Sequence, residues 1–162
     1  MRKSFYVVVA LAIFATFLVS CSSTPVGDAL ITVKGDIGKT NSDKTFVLDQ
    51  AAFDEYSVEL TFNDPWMGDG LNYKGILLKD LIELVKPGND VTTVTLVCTD
   101  GKGYEIALAD AEMYDIILAH WVDGELLDEG VGGPVKVAYP DDAKETYPDE
   151  NWAWWVVAVE FD

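Results

Sequence analysis

The sequence predicts an α+β domain in which a mixed, largely antiparallel sheet is combined with a few short helices. Residues 92–99 contain an alternating run rich in β-branched side chains, which is typical of a buried strand. One segment instead has helical spacing, because Leu78, Leu81, Ile82 and Val85 recur at intervals of three and four residues. Only four residues, 100–103, separate two predicted strands, and a connection this short predicts an antiparallel hairpin.

The first half of the chain contains the predicted helix and the second half is dominated by strands. Before the helix we predict a strand at 29–34, a short helix or turn at 48–56, a strand at 56–62 and a turn-rich loop at 63–70. After it we predict strands at 92–99, 104–108, 116–122, 135–139 and 154–161, a turn or single helical loop at 109–114, and an acidic surface loop at 141–150. The last strand is apolar on both faces, which predicts a central or covered position in the sheet.

The first 21 residues have the layout of a bacterial lipoprotein signal. Arg2 and Lys3 form a positive start, residues 5–19 form an apolar run, and the sequence Leu-Val-Ser-Cys at 18–21 resembles a lipobox. An apolar run this short, flanked in this way, is typical of a cleaved signal rather than a spanning helix. We therefore expect lipidation of Cys21, with the acyl chains, palmitate among them, anchoring the protein to a bacterial membrane.

This signal fixes the expected domain boundaries and location. Residues 1–20 are the predicted signal peptide, 21–28 a short tether and 29–162 a single domain that faces the periplasm or the cell exterior. Ser22 resembles the residue found in lipoproteins sent to the outer membrane of a Gram-negative host. The alternative is an ordinary secretory signal with its cleavage site slightly further on, because Ser22 and Ser23 also suit a signal peptidase.

The chain is strongly acidic. It has 28 acidic and 11 basic residues, and removal of the signal leaves nine lysines and a net charge of −19. This charge disfavours nucleic acid and anionic surfaces as partners, and it fits a cationic protein, a divalent cation or simple solubility. Arg2 is the one arginine of the sequence, so the mature chain lacks the usual residue for a bidentate phosphate clamp. An anion site is therefore disfavoured.

Cys98 is the second cysteine of the sequence and lies within a predicted strand. If Cys21 carries lipid, Cys98 has no partner for an internal disulfide. A nucleophilic role would require exposure and a nearby base, and His120 is the one imidazole of the chain. We therefore interpret Cys98 as a buried structural thiol.

Four segments between about residues 31 and 161 form a recognisable series. They are Tyr-Lys-Gly-Ile-Leu-Leu-Lys-Asp-Leu-Ile at 73–82, Asp-Gly-Lys-Gly-Tyr at 100–104, the pair Ile-Leu-Ala at 117–119 and Asp-Gly-Glu at 123–125, and Gly-Gly-Pro-Val-Lys-Val at 132–137. With this order of elements the chain resembles the sulfite-oxidase-like, molybdopterin-binding oxidoreductase domain, and in particular a small extracytoplasmic subgroup of that family. The first segment is similar to the family's helix start and the last to its strand with an arginine. The resemblance implies a sulfite-oxidase-like fold and, for the family's enzymes, molybdopterin chemistry.

The residues that the resemblance makes catalytic are the places where this chain differs. The resemblance implies a cysteine ligand to molybdenum in the loop after the strand at 56–62, but residues 63–70 contain no cysteine and Cys98 lies on another strand. The family's arginine in the Gly-Gly-Pro strand is Lys136 here. A soft metal held by thiolate needs the sulfur, so molybdopterin catalysis is disfavoured, and we expect neither this cofactor nor a resident metal.

The same loop offers a candidate cleft in place of a catalytic site. Trp66 lies in it between Pro65 and glycines, in a polar setting where an exposed aromatic side chain suggests a ligand or partner site. The candidate cleft residues are Trp66, Asp64, Asp69, Tyr104 and His120. The alternative for Trp66 is that it plugs a vacant pocket. For the acidic residues at 64, 69, 141, 142, 149 and 150, solvation is favoured over calcium binding because no EF-hand spacing is present.

The sequence as a whole predicts a lipid-anchored binding module, accessory or sensory, for a membrane or periplasmic protein partner. The first alternative is a molybdopterin-dependent oxidoreductase domain, and the second is a divalent-cation-binding lipoprotein. No serine-hydrolase, P-loop or dinucleotide motif is present in the sequence, so no motif supports a serine hydrolase or a nucleotide-binding protein.

Overall fold

The computed structural model describes residues 27–162. The predicted signal at 1–20, the lipidated Cys21 and all but the end of the tether at 21–28 lie outside these residues. Within 27–162 no helix is long and apolar enough to cross a membrane.

The described residues form two five-stranded sheets and three short helices. The first half contains β1 (Ile31–Gly35), β2 (Phe46–Leu48), α1 (Gln50–Tyr56), β3 (Val58–Asp64), β4 (Gly68–Leu77) and α2 (Leu78–Val85). The second half contains β5 (Thr93–Cys98), β6 (Gly103–Ala107), α3 (Leu108–Met113), β7 (Ile117–Val122), β8 (Glu125–Leu126), β9 (Lys136–Ala138) and β10 (Val156–Phe161). The acidic stretch at 141–150 contains two 3-10 turns, Asp141–Ala143 and Asp149–Asn151, where the sequence predicted a loop.

The two sheets confirm the predicted α+β class with mixed, largely antiparallel strands. The first sheet has the order β2-β1-β10-β5-β6, and the second has the order β3-β4-β7-β8 with β9 also paired to β7. Among the described strands one pair is parallel, β1 with β10, and the others are antiparallel. β10 is central in its sheet, as its apolar sequence predicted.

The predicted amphipathic helix is present as α2. Its four periodic side chains, Leu78, Leu81, Ile82 and Val85, are all buried, and they join the core that the two sheets share. The helix ends at Lys86, which adopts a left-handed conformation before Pro87 and Gly88. The hydrophobic period therefore predicted both the helix and its buried face.

The prediction for residues 68–77 was wrong. This segment, interpreted as the end of a turn-rich loop followed by a helix start, is the ten-residue strand β4. It pairs with β3 on one side and β7 on the other, and its apolar end is buried. Gly75 permits this pairing, because a Cβ atom there would lie 2.1 Å from the carbonyl oxygen of Leu118 on β7. The loop at 63–70 is thereby reduced to a tight turn between Asp64 and Gly68.

Candidate functional site

A pocket of about 370 Å³ lies at the end of the first sheet where β5 ends and where β6 and β10 begin. Three segments that are distant in sequence form its walls: the β3–β4 turn, the β5–β6 hairpin and the residues that lead into β10. Its aromatic walls are Trp66, Tyr104, Trp152, Trp154 and Trp155. Its charged residues are Asp100, Lys102, Asp149 and Glu150, and Cys98 completes the lining. We call this site the aromatic pocket.

Three tryptophans of the aromatic pocket form a continuous surface. The ring centroid of Trp154 lies 6.5 Å from that of Trp66 and 5.7 Å from that of Trp155, and the second pair is edge-on. Trp66 is 49% exposed and Trp155 is 39% exposed. Large aromatic side chains that are grouped and half exposed are typical of binding surfaces, since they supply contact area at low conformational cost.

The backbone at Trp155 is strained and is held by specific contacts. Its φ is +56°, a left-handed value that a bulky non-glycine residue rarely adopts. Its backbone N–H donates to the carbonyl of Gly132 at 2.9 Å, and its indole N–H donates to the carbonyl of Glu129 at 2.8 Å. Backbone strain of this kind costs about 1–3 kcal/mol and concentrates at functional sites.

The Gly-Gly-Pro segment positions the neighbouring ring. Gly132 has φ +94°, and a Cβ atom there would lie 2.8 Å from the ring of Trp154. A side chain at this position would therefore push the ring out of place. Gly132 thereby sets the position of one wall of the aromatic pocket.

Asp64 holds the turn that presents Trp66. Its Oδ1 accepts hydrogen bonds from the backbone N–H groups of Trp66 and Met67, both at 2.8 Å. Its Oδ2 accepts from the Tyr73 hydroxyl and from the Lys136 ammonium, both at 2.6 Å. The side chains of Asp64 and Lys136 are fully buried. Asp64 is thus an anchor inside the protein that fixes the β3–β4 turn.

The electrostatics of this buried cluster favour an ionised Asp64. Burial acts to raise the pKa of Asp64, but hydrogen bonds from Lys136, Tyr73 and the Trp66 backbone outweigh it and leave the pKa below its ordinary value. Burial lowers the pKa of Lys136, and the hydrogen bond with Asp64 opposes this shift. Burial and the neighbouring Asp64 carboxylate both raise the pKa of Tyr73, which keeps its hydroxyl protonated as a donor.

Lys136 is also surrounded by aromatic rings. Its ammonium lies 4.8 Å from the ring centroid of Trp154, 5.5 Å from that of Trp152 and 5.7 Å from that of Tyr73. These distances are within the range of cation–π attraction. Trp152 and Trp154, which line the aromatic pocket, therefore already lie within cation–π distance of Lys136.

The structure brings together two of the five predicted cleft residues. Trp66 and Tyr104 line the aromatic pocket. Asp64 is buried with Lys136, and Asp69 is exposed and does not line the pocket. His120 is buried elsewhere, with Nδ1 2.6 Å from the carbonyl oxygen of Pro134 and Nε2 3.0 Å from Oε1 of Gln50.

Sequence reasoning missed most of the pocket because its lining comes from three segments. It separated Cys98 from the loop containing Trp66, whereas both residues line the aromatic pocket. Cys98 is nevertheless 5% exposed, and chiefly burial raises the pKa of its thiol to about 11. The cluster of aromatic residues at 152–155 was the signal in the sequence that pointed to this place.

The described residues contain no group of three or more histidine, cysteine, aspartate or glutamate side chains arranged to hold a metal ion. In the acidic stretch at 141–150, Asp141 pairs with Lys144 at 2.7 Å and accepts a hydrogen bond from Asn63 at 2.7 Å. These contacts engage one of the carboxylates considered for calcium with partners from the protein.

Comparison with known proteins places this geometry in a family. Residues 49–160, more than half of the chain, match the model of the oxidoreductase molybdopterin-binding domain. The chain belongs to the oxidoreductase molybdopterin-binding domain family. Its fold is similar to that of the sulfane dehydrogenase SoxCD from Paracoccus pantotrophus, with a TM-score of 0.62 at 14% identity. The match covers 81% of this chain and 37% of that chain, so this chain spans little more than a third of the enzyme. No curated protein matches the sequence.

The side chains of the aromatic pocket do not fit the cofactor that the family name implies. The pocket contains one sulfur donor, Cys98, whose raised pKa makes it a neutral thiol at pH 7. A pterin phosphate requires cationic or N–H donors, whereas the pocket has three carboxylates and one lysine, and residues 27–162 contain no arginine. The sulfur is present, but the charge of the pocket opposes the phosphate.

Proposed function

We propose that this protein is a binding module, accessory or sensory, that uses the aromatic pocket as its binding site and does not perform molybdopterin catalysis. The observation that carries this proposal is the composition of the pocket, with five aromatic residues and three carboxylates against one lysine. Half-exposed tryptophans supply contact area, and the carboxylates exclude the anionic cofactor of the family.

The local architecture supports a binding role for Trp66. The Asp64 side chain fixes the backbone on which Trp66 stands, yet the Trp66 ring remains 49% exposed. A plugging side chain would be buried. The half-exposed ring favours the cleft interpretation of Trp66 over the plug.

One observation favours a second candidate function, a molybdopterin-dependent oxidoreductase. Cys98, the one cysteine of residues 27–162, lines the same pocket, and thiolate is a ligand that soft metals prefer. Purified protein from a host that makes the cofactor is analysed for molybdenum, for other metals including calcium, and for pterin. We expect no stoichiometric molybdenum and no calcium. Molybdenum near one atom per chain, lost in Cys98→Ser, would establish the second candidate, and stoichiometric calcium would favour a divalent-cation-binding protein.

We further propose that the module is lipid-anchored outside the cytoplasm, facing the periplasm or the cell exterior, with a membrane or periplasmic protein as its partner. The support is the sequence of residues 1–21, with its positive start, apolar run and Cys21. Cys21→Ala should abolish lipid labelling and leave precursor or release soluble protein, with Cys98→Ala as the matched control that changes neither. A Cys21→Ala protein that still runs as mature, lipid-labelled material would contradict the anchor.

A further inference from the structure

The walls of the aromatic pocket have the chemistry that recognises organic cations. The faces of tryptophan and tyrosine attract a cation within about 6 Å of the ring centroid, and clusters of such rings bind quaternary ammonium groups. The pocket supplies five rings in a volume of about 370 Å³, a size that suits a small molecule. Two further contacts show that its rings accept cations. Lys102 lies 4.3 Å from the ring centroid of Tyr104, and the buried Lys136 lies 4.8 Å from that of Trp154.

The charges around the rings favour the same ligand. Asp100, Asp149 and Glu150 line the pocket, and all three are exposed. Lys102 is the one cationic residue of the lining, so the pocket carries more negative than positive charge. The whole chain adds to this field with its net charge of −17. A ligand that enters is therefore attracted if it is a cation and repelled if it is an anion.

We infer that the aromatic pocket binds a small organic cation, a quaternary ammonium or a protonated alkylamine. This inference rests on the proposed function, because it assigns the ligand class of the same pocket. The cationic group sits against the tryptophan faces near the carboxylates.

Titration with matched probes tests the ligand class. Tryptophan fluorescence and calorimetry are followed with choline, with its neutral carbon isostere 3,3-dimethylbutan-1-ol, with tetramethylammonium and with inorganic phosphate. Choline should bind at least about tenfold more tightly than the neutral isostere, the scale expected for a cation on desolvated rings. Tetramethylammonium, which carries the same charge, should also bind, and phosphate should give no response.

Variants of exposed residues locate the binding. Trp66→Leu should weaken choline binding about tenfold, while Trp66→Phe should retain most of it because the aromatic face remains. Glu150→Gln should weaken binding and reduce its salt dependence, whereas Glu112→Gln, an exposed glutamate outside the pocket, should do neither. Phosphatidylcholine vesicles carry the same trimethylammonium group, so binding that needs vesicles assigns a lipid headgroup and binding of free choline assigns a solute.

The outcomes separate this inference from the proposed function. Equal binding of choline and its neutral isostere, or binding of phosphate, would overturn the cation assignment while leaving the pocket as a binding site. No saturable response to any of the free cations up to about 10 mM, together with no binding to phosphatidylcholine vesicles, would also overturn it. Stoichiometric molybdenum would instead overturn the proposed function, whatever the result with choline.

Discussion

Removal of the Lys136 ammonium should destabilise the protein strongly, because the lysine forms a fully buried ion pair with Asp64. Lys136→Met keeps a side chain of similar length but leaves the Asp64 carboxylate with three donors in place of four: the Tyr73 hydroxyl and two backbone N–H groups. Breaking a buried pair in this way costs about 3–5 kcal/mol. The three remaining donors place our expectation near the lower limit, at about 3 kcal/mol.

A double-mutant cycle isolates the ionic part of this effect. Asp64→Asn keeps an acceptor for the β3–β4 turn but leaves the Lys136 ammonium unpaired, so it should also cost about 3 kcal/mol. The double variant removes both charges, and its cost should fall below the sum of the single costs by about 2 kcal/mol or more. The free energies of unfolding are measured by urea denaturation. Single costs below about 1 kcal/mol, or strictly additive costs, would refute a buried ionised pair.

Three further predictions follow from the same contacts. Because the pKa of Asp64 is lowered in the folded state, the contribution of Asp64 to stability is fully present above its unfolded pKa of about 3.8 and is lost as the pH falls through its folded pKa. The stability difference between wild type and Asp64→Asn should therefore shrink below pH 4. A difference that stays constant with pH would contradict the lowered pKa. Gly132→Ala should lower the free energy of unfolding more than Gly101→Ala does. Both glycines have positive φ, but of the two only Gly132 has a neighbour, the Trp154 ring, that an added Cβ atom would meet. The free energies of unfolding derived from thermal melts of the two variants should differ by at least about 1 kcal/mol, and equal values would show that the ring moves aside freely. Cys98 should react slowly with iodoacetamide at pH 7 and faster as the pH approaches the thiol pKa of about 11, and rapid labelling of native protein at neutral pH would contradict its burial.

The fold was predictable where the sequence pattern is local. The period of α2 and the short connection between β5 and β6 each depend on fewer than a dozen neighbouring residues, and both appear in the structure. β4 was not predictable in this way. Its glycines at 68, 70 and 75 weaken any strand pattern, and pairing on both sides compensates for that weakness.

The candidate site was less accessible to sequence reasoning because its contacts are long-range. Asp64 looked like an exposed loop carboxylate, and its burial depends on a lysine 72 positions further along the chain. Trp66 was identified from its polar neighbours, and the structure places it in the pocket lining. Cys98 and the tryptophans at 152, 154 and 155 come together through the pairing of β5 with β10, a register that spans about 60 residues and has no local signature.

The parallel pairing of β1 and β10 determines on which side of the domain a leading segment departs. Thr32 lies beside Ala158, so the chain enters β1 at the same end of the sheet at which Trp154 and Trp155 lead into β10. The ten Cα–Cα steps from Cys21 to Ile31 span at most about 35 Å even when fully extended. If Cys21 carries lipid, the tether joins the domain at the end of the first sheet where the aromatic pocket also lies, and Ile31 is within that distance of the bilayer surface.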